Sequence, residues 1–252
     1  MTVKNRKIPV NALAFICVAI LFLILEVIEN FLPTWEIPLI IVKALTSLIP
    51  FGLAFYGTLK QPNFQNIGFT SVLFTYLIGD ILIRINFTSG VIAFFIANLL
   101  ISGIFLKIGK FSLFQLFIYL ISLVVVLVGL IIFKEPLGST FYPILIYSFI
   151  VIFMMVSSFR MSFSIRLSAI IFFISDLLLG IGLAGFKNPI LSFISLGLYY
   201  LAISILANVV YKNSTDQGTH WFSFFWFFYH PKTIKKSLET KMISRLSFNS
   251  AF

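Results

Sequence analysis

Eight long runs of apolar residues, near 11–32, 38–59, 67–85, 90–106, 111–133, 140–159, 167–185 and 189–211, leave this chain few ways to fold. A hydrocarbon core about 30 Å thick is crossed by roughly 20 apolar residues in a helix. Within it, every backbone N–H and C=O must find its partner inside the segment. The runs therefore predict an all-α fold, a polytopic integral membrane bundle of about eight transmembrane helices. Composition excludes a soluble domain: 60% of the 252 residues are hydrophobic, 32 are phenylalanine and only 10% are charged. That is more apolar surface than a water-soluble domain of this size can bury.

Lys4, Arg6 and Lys7 precede the first run in the manner of a signal peptide. The run is too long for an h-region and no small-residue cleavage site closes it, so an uncleaved anchor is expected. The single cysteine, Cys17, rules out an internal disulfide framework and reads as a small core residue. Of the eighteen Lys and Arg residues, fourteen fall on the side of the predicted bundle that holds the chain's N-terminus, three (Arg84, Lys134, Lys187) on the other, and Lys43 inside a helix. By the positive-inside rule both termini are expected in the cytoplasm. The net charge of +10 thus speaks of topology and lipid contact, not of nucleic acid. Residues 1–211 read as a single transmembrane domain, with 212–252 as a cytoplasmic tail. In that tail, "HWFSFFWFFYHP" suits the headgroup level and "KTIKKSLETKMISRL" an in-plane amphipathic helix. The Ile-, Phe-, Asn- and Lys-rich usage suggests an AT-rich genome and a bacterial inner membrane.

An ionisable side chain at the centre of a membrane helix costs about 2.5–3.5 kcal/mol to insert, and as a rule faces the bundle interior and carries function. Asp80, in "LIGDILI", and Asp176, in "FISDLLL", are the clearest cases. The two heptads match loosely and fall in the third and seventh runs, which a 4+4 parallel duplication would explain. Lys43, Glu26 and Glu29 lie at similar depth, compatible with one polar cavity opening on the side away from the N-terminus. Structural readings stand beside the functional ones. Lys43 would pair with Asp80 or a glutamate, Arg84 with Asp80 one turn away, and the two glutamates would be solvated near the interface. Asn98, Tyr147, Tyr199 and Tyr200 are further candidates for contact with substrate, although each alone suits an interhelical hydrogen bond equally well. Metal chemistry is not indicated: the histidines, His220 and His230, both lie in the tail, and no Cys/His cluster exists.

Taken in order, several fragments resemble the YhhN-like membrane family, whose characterised members are lysoplasmalogenases. "KALTSLIP" is similar to its Lys-x-x-Thr segment (Lys43 to Thr46), and "YLIGDILI" to its Leu-x-Gly-Asp signature (Gly79, Asp80). "SGVIAFFIANLLISGIF" resembles the Gly-x-x-x-Phe block from Gly90, and "YPILIYSFIVIFMM" the Pro-x-x-x-Tyr helix at Pro143 and Tyr147. "IIFFISDLLLG" is similar to the Phe-x-x-Ser-Asp signature at Ser175 and Asp176, and "YYLA" to the final motif, Tyr199 to Ala202. The resemblance runs from about residue 40 to 210. It departs at Asn98, where a histidine or another polar residue is usual, and at Ile203, where glutamine is common.

The resemblance implies hydrolysis of the vinyl ether bond of a lysoplasmalogen to a fatty aldehyde and glycerophosphoethanolamine or glycerophosphocholine. Asp80 and Asp176 would be the acid and base, in either order. Two carboxyls can divide those roles when their surroundings differ, and burial favours the protonated form of a carboxyl. Lys43 would orient the phosphate or hold one aspartate ionised. No cofactor is called for, and the expected partners are membrane lipids and a lysophospholipid substrate. The same two acids also suit a proton- or cation-coupled small-solute transporter. The departures at Asn98 and Ile203 suit a catalytically silent lipid-binding homologue.

Overall fold

The structure, a computed structural model, describes residues 9–215 apart from Pro33, Lys110 and Lys187. The expected tail helix and the N-terminal basic residues lie outside the described residues. The described chain is helical in α1 (Val10–Phe31), α2 (Glu36–Lys60), α3 (Phe64–Ile85), α4 (Phe87–Ile108), α5 (Leu113–Ile132), a single turn α6 (Lys134–Leu137), α7 (Phe141–Ser157), α8 (Phe163–Leu183) and α9 (Pro189–Thr215). Short 3-10 turns flank α7, so that Lys134–Arg160 forms one continuous span. Among the described residues eight spans are long and apolar enough to cross a membrane. The chain is a multi-pass integral membrane protein. An even number of crossings returns Thr215 to the side where Val10 begins. The opposite end of the bundle, where α1, α3 and α8 finish and α2, α4 and α9 start, is called the far side below.

Several stretches expected as loops are shorter than their turn residues suggest, because polar side chains start the next helix at once. Asn63 accepts from the Asn66 amide (2.8 Å), so α3 begins within "QPNFQN". Asn86 ends α3 and caps α4 through the Ser89 amide (3.0 Å), leaving one residue between two helices. The fourth span, expected at 90–106, therefore extends over 22 residues. Ser112 and Gln115 form a reciprocal capping box at the start of α5. In "FKEPLGS" the chain stays helical almost throughout.

The buried core is built by α2, α3, α4, α8 and α9 with one face of α1. Cys17 is only half-buried on α1 and does not belong to it. By contrast α5 is peripheral: Gln115 is its sole buried residue, and its amide donates to the Val156 carbonyl at 2.9 Å. Most large side chains on the outside are apolar, as a lipid-facing surface requires.

Two glycines bring α3 and α4 together. A Cβ on Gly90 would lie 2.5 Å from Cα and Cβ of Ile83, and one on Gly79 would lie 3.1 Å from the Phe94 ring. The Gly-Asp pair of α3 and the Gly-x-x-x-Phe block of α4 are thus two halves of one contact. Small residues permit this close approach of membrane helices. Gly90→Ala is expected to lower stability by about 1–3 kcal/mol through overpacking. Gly103→Ala, whose Cβ meets nothing within 4 Å, should be neutral or better. Thermal unfolding of the two variants in the same detergent checks the contrast.

Candidate active site

Proline and serine shape the first wall of the site. Pro50, buried in α2, has no N–H for the Thr46 carbonyl, and the two turns before it carry Lys43, Thr46 and Ser47, all buried. Lys43 and Ser47 stand one turn apart on the same face. Both meet Asp80 of α3, which is 1% exposed. Lys43 Nζ lies 3.5 Å from Oδ1, and the Ser47 hydroxyl donates to Oδ2. The Tyr199 hydroxyl of α9 also donates to Oδ2, at 2.7 Å. Asp80 is therefore held by one cation and two hydroxyl donors from two other helices. Arg84, one turn further along α3, pairs with Glu29 of α1 at 2.6 Å rather than with Asp80. Glu26 is buried, not solvated, and accepts weakly from Asn30 at 3.4 Å.

The second wall carries Asp176. On α8 the preceding residue, Ser175, donates to the Ser195 carbonyl of α9 (2.8 Å), and Ser195 donates back to the Ser175 carbonyl (2.9 Å). This reciprocal clasp fixes α8 against α9 beside Asp176. The carboxyl itself accepts from the Tyr147 hydroxyl of α7 at 2.8 Å. A directional chain stands behind that bond. Tyr76 donates to Asn98 Oδ1 (2.9 Å), and Asn98 Nδ2 donates to the Tyr147 oxygen (3.1 Å). The tyrosine oxygen is thereby engaged as an acceptor, and its proton is directed to Asp176.

Asp80 lies five residues before the end of α3 and Asp176 seven before the end of α8. At these matched depths both line one cavity of about 310 Å³ in the far half of the bundle. Lys43, Tyr147 and Tyr199 line it with them, and the Arg84–Glu29 pair stands toward its far, more exposed end. On the opposite side of the aspartates four rings gather: Tyr76 stacks on Phe172 (5.0 Å between centroids), while Phe94 and Phe172 meet Tyr199 edge-on (5.8 and 5.7 Å). These rings come from α3, α4, α8 and α9 and form a floor, so the cavity belongs to the far half alone.

Of the residues singled out by sequence, Asp80, Asp176, Lys43, Tyr147 and Tyr199 are brought together on the cavity wall. Asn98 and Tyr200 are buried behind it, at 0% and 2% exposure. Asn98 reaches the cavity only through Tyr147, and the Tyr200 hydroxyl lies beside Ser47, short of a well-formed hydrogen bond. Reasoning from sequence missed Ser47, Tyr76 and Ser195. The first two had a signal, since Ser47 follows Lys43 by one turn and Tyr76 precedes Asp80 by one. Ser195 had none.

Fold and site together define a multi-pass membrane protein with a far-side polar cavity, in which two carboxyls from distant helices face the same space. The family model of the YhhN family matches residues 39–210, and the chain belongs to that family. The match takes in the whole two-aspartate cavity except Glu29 of α1. No curated protein and no solved structure matches the chain.

The buried Lys43–Asp80 pair supports a double-mutant test. Removing one partner of a buried ion pair strands the other charge and costs about 3–5 kcal/mol. Lys43→Met is expected to lower the melting temperature sharply, and Lys43→Met with Asp80→Asn to recover much of the loss. Equal destabilisation in the single and double variants would mean that the pair is not coupled.

Proposed function

We propose that the chain is an intramembrane ether hydrolase, cleaving the vinyl ether bond of a lysoplasmalogen to a fatty aldehyde and a glycerophospho-base. This is the activity with which the YhhN family is associated. The observation that carries the reading is the inequality of two carboxyls on one cavity. Asp80 faces a cation and two hydroxyl donors, whereas Asp176 accepts from a single hydroxyl among largely apolar neighbours.

That inequality supports a division of labour which the residue types alone left open. Asp176, as the carboxylic acid, gives its proton to the vinyl carbon remote from oxygen. The other vinyl carbon becomes an oxocarbenium ion. Asp80, ionised beside Lys43, takes a proton from water as the water oxygen bonds to that cation, giving a hemiacetal. When the hemiacetal collapses, its hydroxyl proton returns to Asp176, the glycerol oxygen takes the proton from Asp80, and the carbon–oxygen bond breaks. One water is consumed and both residues are restored. The logic is that of paired carboxyls at a glycosidic bond.

The remaining residues act around this pair. Lys43 serves the base, since its ammonium is engaged with Asp80. Arg84 and Glu29, opposite charges toward the cavity mouth, suit the phosphate and the amine of a zwitterionic head group. Asn98 and Tyr76 orient Tyr147, and through it Asp176. Ser47 and Tyr199 orient Asp80.

Asp176→Asn is expected to lower aldehyde release by 10²–10⁴-fold, the scale of a lost general acid or base, with the folded protein still recovered. Asp80→Asn, which strands the Lys43 ammonium, is compared in the Lys43→Met background, where a loss of the same scale is expected. The assay uses purified protein in detergent, where a transporter would show nothing because no compartment is sealed. Full aldehyde release by either variant sinks the two-carboxyl mechanism.

A further inference from the structure

A second cavity, of about 220 Å³, lies between α5, α7 and α8. Its lining is apolar except for Tyr147, Ser148 and Asp176. Ile144 and Tyr147 of α7 and Asp176 and Gly180 of α8 line both cavities. The two spaces therefore meet at the slit between α7 and α8, beside the Asp176 carboxyl. Two features keep the slit open. In this structure α8 packs chiefly on α9, and it meets α7 much less extensively. In addition, a Cβ at Gly180 would meet nothing within 4 Å, and the same holds for Gly129 on the α5 wall.

The outer wall of this second space is the far half of α5. That helix is fastened at its near end, by the Gln115 bond to Val156 and by packing around Ile152 and Val156. Beyond that its other face turns outward: Val128, Ile131 and Ile132 are 51%, 66% and 67% exposed. Along the groove, Val125–Phe133 of α5 and Asp176–Ala184 of α8 each run about 12 Å. An apolar groove of that length, walled from lipid by one loosely packed helix and ending at a carboxyl, has few partners for a polar ligand.

We propose that this groove holds the single hydrocarbon chain of a lysolipid whose polar end occupies the first cavity, so that the bond joining chain to glycerol lies at the slit, against Asp176 and Tyr147. The proposal rests on the hydrolase reading above and adds to it where the chain goes and what sets its length. The head lies with Arg84 and Glu29, and the tail under α5. The substrate arrives from the bilayer side of α5, not from water. Gly129 and Gly180 act as specificity-determining positions, because their missing side chains leave the room that the chain takes.

Two measurements test this. In the first, purified protein in detergent is given lysoplasmalogens with alkenyl chains of graded length, and kcat/KM is taken as a long-to-short ratio. Gly129→Leu, which puts a side chain into the groove, is expected to lower that ratio about tenfold or more, on the scale by which a pocket discriminates chain length. Val124→Phe, on the outward face of α5 at a residue 59% exposed, should keep the wild-type ratio. An unchanged ratio in Gly129→Leu overturns the groove assignment while leaving the hydrolase reading intact. The second measurement needs no turnover. A non-cleavable alkyl lysophosphatidylethanolamine with a diazirine at its chain end is cross-linked to the wild-type protein in detergent. Adducts on Phe133, Ile181 or Ala184, at the end of the groove away from Asp176, are expected, and adducts that spare the groove overturn the proposal. If no aldehyde is released from any chain length, the hydrolase reading fails and the cross-link alone decides the groove.

Discussion

A carboxylate placed in hydrocarbon must be met by donors from the protein, and the far half of this bundle is organised around meeting that demand at Asp80. An unpaired charge at this depth would cost several kcal/mol. Its partners come from α2, as Lys43 and Ser47, and from α9, as Tyr199. The neighbouring α2 and α3 and the distant α9 are therefore pinned at one point. Neighbouring contacts follow from the same geometry. Gly79, beside the aspartate, admits the Phe94 ring of α4, and that ring meets Tyr199 edge-on. Tyr199 in turn packs on Phe172 of α8. The charge pair, the glycine contact and the ring floor are one unit, which is why the polar cavity above them has a closed base.

Much of the fold was legible because the membrane imposes a simple rule. Helices of about 20 apolar residues are the only economical solution, and all eight expected runs are spans. Boundaries were less legible, because asparagine and serine read as turn formers in a sequence and act here as caps. Asn86 is the extreme case, serving the end of α3 and the start of α4 at once. At the site, the acids stood out against an apolar background, as did Lys43. What the sequence could not reveal was pairing. Arg84 had Asp80 one turn away on its own helix, yet its partner is Glu29 on α1. Local spacing identifies which residues share a face; it does not say which other helix that face will meet. Ser195 shows the same limit, since a serine on an apolar helix gains meaning only from the Ser175 carbonyl across the interface.

The aspartates also obey a pattern that the loose match between their heptads suggested. Counted as two sets of four spans, each aspartate sits on the third helix of its set and is bonded from the second: Asp80 from Ser47 of α2, Asp176 from Tyr147 of α7. The fourth helix of each set serves the other set's acid. Tyr199 of α9 donates to Asp80, and Asn98 of α4 bonds to Tyr147 behind Asp176. The correspondence is one of topology, not of register. Ser47 precedes its aspartate by 33 residues and Tyr147 by 29, a difference of about one helical turn.

That displaced register has a chemical consequence. With identical surroundings, two carboxyls on one cavity would compete for the same proton and the same role. Here the α2 partner brings an ammonium group and the α7 partner brings a phenol, so that the two acids stand in opposed settings at nearly equal depth. The ammonium side borders the polar cavity alone, whereas the phenol side opens both to the polar cavity and to the apolar groove. A substrate that is itself divided between a charged head and a hydrocarbon chain would meet the second carboxyl at its own dividing line. Two like acids can take unlike roles on one amphipathic molecule only if their surroundings are unlike, and the unlike side chains that α2 and α7 bring to them supply that difference.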